Sequence, residues 1–209
     1  MSVHCCQPEP EKRDSAPPPG YLRVLWIALV VNVLMFGVEI AAGLASESVS
    51  LLADSIDFLG DAANYGLSIA VLGMGFAWRS RAALVKAASM LAFGALVLAK
   101  AAWSMSMGVV PEPLTMGVVG SVAMVANVGV AVMLYAFRDG DANMRSVWLC
   151  TRNDAIGNLA VMLAAVGVFG TGSAWPDLGV ALVMASLAIT AGWSVMRQAR
   201  REMAVKSPA

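Results

Sequence analysis

Two pairs of oxygen-bearing side chains stand one helical turn apart inside stretches that are otherwise apolar. Asp57 and Asp61 form the first, within LLADSIDFLGDAAN; Asp154 and Asn158 form the second, within CTRNDAIGNLAVM. At about 100° per residue, an i, i+4 pair shares one helix face, so both members reach the same ion. Two helices that each offer two oxygens at similar depth make a four-ligand cation site. Asp54, Asn64 and Ser68 extend the first pair into a narrow stripe. Glu39 adds one more acid in an earlier apolar stretch. It and Asp54 are weaker candidate ligands, and Asp54 also reads as a cap near the end of its helix.

Lipid should reject these groups. An ionised side chain at mid-membrane costs about 2.5–3.5 kcal/mol even on the lenient insertion scale. Five acids therefore need protons, basic partners or a bound cation, and only Lys100 and Arg152 are available as internal bases. Close like charges hold helices together poorly without an ion between them. The Asp57 and Asp61 pair is read as metal-binding for that reason.

The elements that must position these residues follow from composition. Of 209 residues, 59% are hydrophobic and 13% charged, and the mean hydropathy is +0.72. Soluble domains carry about 25% charged residues, so an ordinary soluble enzyme is excluded. The 14 basic and 14 acidic residues cancel, which leaves no basic excess for nucleic acid. No H-E-x-x-H, Gly-x-Ser-x-Gly or Ser–His arrangement suggests an intramembrane enzyme.

Six apolar runs recur, near Leu22–Leu44, Leu51–Phe76, Ala82–Met107, Leu114–Phe137, Val147–Phe169 and Pro176–Met196. Each is long enough to cross a hydrocarbon core of about 30 Å as a helix. The breaks between them fall at 46–50, 77–81, 108–113, 138–146 and 170–175. Lys and Arg flank alternate breaks and both ends, with Lys100 alone off the pattern among 14 basic residues. The expected fold is thus an all-α integral membrane protein of six transmembrane helices with both termini cytoplasmic. Its parts are a disordered tail at 1–20, a membrane domain at 21–198 and a short tail at 199–209. The first twenty residues, rich in Pro and lacking an apolar core, do not read as a signal peptide.

A short internal repeat supports a midplane site. Asn32-Val33 precedes Asp57 by 25 residues, and Asn127-Val128 precedes Asp154 by 27. Three spans separate the halves, so the repeats would be inverted, as in many transporters with a site at their interface.

The stretch from Asn32 to Asn64, NVLMFGVEIAAGLASESVSLLADSIDFLGDAAN, resembles the first two helices of the cation diffusion facilitator family. The family carries an Asn and a Glu in its first helix, then a Ser-Leu-Leu-Ala-Asp-type run leading into H/D-x-x-x-D. CTRNDAIGNLAVM stands where its second H/D-x-x-x-D lies. The resemblance implies a divalent metal–proton antiporter that exports cytosolic zinc, cobalt, cadmium, iron or manganese. By position, Asp57 and Asp61 match the first ligand pair, and Asp154 and Asn158 the second. The metal is cargo rather than a fixed cofactor. A homodimer in the plasma (inner) membrane follows by analogy.

Three features depart from the family. Asn158 replaces the usual Asp, so the site holds three carboxylates and one amide. No histidine lies in a span. The chain ends about a dozen residues after the sixth span, so the cytosolic C-terminal domain is expected to be missing. Carboxylate and amide oxygens suit Mn²⁺ or Fe²⁺, although Zn²⁺ also accepts carboxylates. Crowded carboxylates should titrate together, so that a divalent cation expels protons and protons displace the cation. Gly60, Gly66 and Gly157 read as close helix contacts or as hinges. His4, Cys5 and Cys6 offer a weaker site for a soft metal near the entry. The competing reading is a membrane-embedded sensor or accessory subunit that binds cation without moving it.

Overall fold

The computed structural model describes residues 18–70, 76–137 and 142–205. Six helices cover them: α1 (Tyr21–Ala45), α2 (Val49–Ala70), α3 (Phe76–Met107), α4 (Pro113–Tyr135), α5 (Ala142–Thr171) and α6 (Trp175–Val205). No strand occurs among the described residues. The protein is an all-α membrane protein. Five helices contain stretches long and apolar enough to cross a membrane: α1, α4, Ala87–Met107 of α3, Asp154–Thr171 of α5 and Trp175–Arg201 of α6.

The exception is α2, whose three Asp residues depress its hydropathy. Its 22 residues still span about 33 Å at 1.5 Å per residue. Burial resolves the conflict. Every residue from Val49 to Ile56 is buried, and α2 packs against α1, α3, α5 and α6. A central helix keeps its acids away from lipid, where they would be most costly.

The outer helices show the opposite pattern, with one buried stripe and a lipid-facing remainder. The α1 stripe is Leu25, Ala28, Asn32, Met35 and Glu39; that of α4 is Gly120, Ala123, Asn127, Val130 and Leu134. The two stripes have identical spacing, with Asn in the same place. Val33 and Val128, which follow the two Asn residues, are both exposed. Each helix also touches its counterpart three positions later, α1 with α4, α2 with α5 and α3 with α6. The α1 and α4 stripes thus share one register, and each of the first three helices packs on its counterpart in the second three.

Helices extend beyond the apolar runs. The expected break at 77–81 is helical, because α3 begins at Phe76, and α5 begins at Ala142 inside the expected break at 138–146. Hydropathy marks where lipid ends, whereas helical hydrogen bonding continues into polar flanks. For the same reason α6 runs to Val205.

At the end of the bundle opposite the termini, the α1–α2 corner is tied to three other parts of the chain. The Glu112 amide donates to the Ser46 carbonyl at 2.9 Å. Lys100 of α3 forms an ion pair with Glu47, so it serves this corner rather than the acids of α1, α2 and α5. Asp177 of α6 accepts from Ser48, Val49 and Ser50.

Candidate functional site

The α2–α5 contact carries the site. Asp61 is buried, and its Oδ2 accepts from the Tyr65 hydroxyl at 2.9 Å and from Thr151 Oγ1 at 3.5 Å. The Tyr65 and Thr151 hydroxyls lie 2.6 Å apart. Thr151 is buried on α5, at i−3 from Asp154 and i−7 from Asn158, so the three share one face. Asp154 lies within electrostatic reach of the Tyr65 hydroxyl, as does Asp61. The phenol thus bonds a carboxylate on α2 and lies in the field of another on α5.

Asp57 and Asp154 are half-buried. Asn158 is fully buried, and among the described residues neither its Oδ1 nor its Nδ2 has a hydrogen-bond partner. A buried amide without partners is costly, and it marks a place where a polar ligand would be accepted. Among the described residues, no three His, Cys, Asp or Glu side chains come together closely enough to hold a metal ion. The structure brings α2 and α5 together through Asp61, Tyr65 and Thr151 without gathering the three carboxylates around one point.

Glu39 and Asp54 are buried and face each other between α1 and α2, with Asp57 within electrostatic reach of Glu39. Among the described residues, no N–H or hydroxyl donor reaches either Glu39 oxygen or Asp54 Oδ2. The two carboxyls have each other as hydrogen-bonding partners, which requires a proton between them. The expected end cap at Asp54 is not formed. Val49 opens α2, and Ser48 and Asp177 satisfy its first amides, leaving Asp54 more than a turn inside. His4, Cys5 and Cys6 lie outside the described residues, as does the side chain of Arg152.

Neither Tyr65 nor Thr151 carries a side chain that metals prefer, so residue type alone does not single them out. Their spacing was available nonetheless. Tyr65 stands at i+4 from Asp61 on the acidic stripe, and Thr151 stands at i−3 from Asp154.

The cation efflux transmembrane domain family matches residues 25–204, nearly the whole helical bundle. The chain belongs to this family, the cation diffusion facilitators, and is a cation efflux transporter of the membrane. Comparison with curated proteins finds no match.

Proposed function

We propose that this transporter exports a divalent metal ion from the cytosol in exchange for protons. Asp57, Asp61, Asp154 and Asn158 are its cargo ligands. The observation that carries this reading is the hydroxyl bridge from Asp61 through Tyr65 to Thr151, which joins the acidic stripe of α2 to the α5 face holding the other two ligands. Neighbouring carboxylates repel at close range, so a cation is what draws them together, and protons neutralise them when it leaves. The oxygen-only donor set widens the cargo beyond zinc, cobalt and cadmium to manganese and iron. With both termini in the cytoplasm and the chain in the plasma membrane, the end bearing the α1–α2 corner faces outward.

Proteoliposomes with an internal pH dye test the proposal. Addition of Zn²⁺, Co²⁺, Cd²⁺, Mn²⁺ and Fe²⁺ in turn should drive proton movement for at least one ion. Asp57→Ala and Asp61→Ala should abolish it. Saturable binding without flux for every ion would instead assign a sensor.

A further inference from the structure

Asp177 lies in the first turn of α6 and is 1% exposed, yet its carboxylate caps a different helix. Oδ2 accepts from the Val49 amide at 2.8 Å; Oδ1 accepts from the Ser50 amide at 3.0 Å and from Ser48 Oγ at 2.7 Å. Ser48 Oγ in turn accepts from the Leu51 amide at 3.2 Å. The first three amides of α2 are therefore satisfied, two of them by α6. Unsatisfied amides form the positive end of a helix, so an anionic cap there is charge-assisted and belongs to the stronger class of hydrogen bonds.

The connection matters because of what each helix carries. Helix α2 holds Asp54, Asp57 and Asp61, while α6 is paired with α3. The carboxylate thus bolts the cargo helix to the α3–α6 pair at one end only. The corner it grips is the one also held by Glu112 and Lys100. Just inside that corner, Leu51, Ala53 and Ile56 are buried beneath the first turn of α2.

We propose that Asp177 is a gate latch. While its bonds to Ser48, Val49 and Ser50 hold, the cargo site is closed toward the end opposite the termini. Their release lets the start of α2 part from α6 and opens that side. The role of the opening rests on the transport reading above, but the latch itself can be tested without any cation.

The test is labelling of the purified full chain by a hydrophilic maleimide, with Cys5, Cys6 and Cys150 replaced by Ser. A reporter thiol is introduced by Ala53→Cys, just inside the latch, and a control by Ala123→Cys, buried on α4. Asp177→Asn should speed labelling at position 53 by about tenfold or more, given the strength of charge-assisted bonds, and leave position 123 unchanged. Ser48→Ala, which removes one of the three Asp177 bonds together with the Leu51 cap, should have a smaller effect at position 53 alone. Unchanged labelling at 53, or an equal rise at both positions, would overturn the latch, the latter showing general loosening. If Asp177→Asn yields no folded protein, Ser48→Ala decides by the same criteria. A chain that moves no metal yet shows selective labelling would sink the transport reading and keep the latch.

Discussion

Tyr65 and Thr151, 86 residues apart in sequence, bring their hydroxyls within 2.6 Å of each other above the Asp61 carboxylate. This contact orients an acid on α2 from a residue on α5. Partners that orient a metal ligand typically contribute 10–100-fold in affinity. Tyr65→Phe keeps the buried ring and removes only the donor. Its cation affinity, measured by calorimetry, should fall by about that range while the helical content stays unchanged. An affinity equal to the parent's would remove Asp61 from the cargo site or Tyr65 from its support.

Asp61→Asn separates function from stability. Burying a carboxylate in a low-dielectric core is costly, and an amide of the same shape avoids that cost while still accepting from Tyr65. In metal-free detergent solution the variant should therefore melt at the same temperature as the parent or higher, while metal-driven flux is lost. A marked drop in melting temperature would identify Asp61 as a structural group instead.

The bundle was legible in the sequence because lipid imposes a simple rule on α1 and α4: one buried stripe, the rest apolar and exposed. The stripe through Asp54, Asp57 and Asp61 was legible for the opposite reason, since ionisable groups must be shielded from lipid, and α2 is the helix packed against four others. What stayed hidden depends on encounters between distant segments. Asp177 looks like an ordinary acid in the first turn of α6, and nothing in WPDLG announces that it caps α2, some 128 residues earlier. Lys100 likewise looked available to the buried acids, but it pairs with Glu47, whose positive φ of 58° turns the chain out of α1. Tyr65 and Thr151 follow the site's spacing, yet a phenol and a hydroxyl carry none of the charge that marks Asp57 and Asp61 in an apolar stretch.

Gly167 is a point of close approach at the α5–α6 corner. A Cβ there would lie 2.8 Å from Pro176 Cβ and 2.9 Å from its Cγ. The pyrrolidine ring cannot rotate aside, so Gly167→Ala should cost about 1–3 kcal/mol, the usual range for overpacking. Gly170, in the same helix, has nothing within 4 Å of its added Cβ. Gly170→Ala should be neutral or slightly stabilising, since Ala is the better helix former. Thermal melts of the two variants side by side decide the matter; equal melting temperatures would contradict the packing argument.

Glu112 gives the connection before α4 a predictable response to acid. Its carboxylate accepts from the Thr115 amide at 2.7 Å and the Leu114 amide at 3.0 Å, with Pro113 opening the helix at a position that needs no donor. The bonds from Thr115, with Leu114 adding less, hold the carboxyl below its ordinary value of 4.5. A lowered value in the folded state means that the cap's contribution is present above the unfolded value and is lost as pH falls through the folded one. Glu112→Ala should therefore melt below the parent at neutral pH, and the gap should close once the pH falls well under 4.5. The side chain is fully exposed, so the gap will be small and best read as a difference between paired melts across a pH series. A gap that persists unchanged in acid would mean that the carboxylate's charge has no part in capping α4.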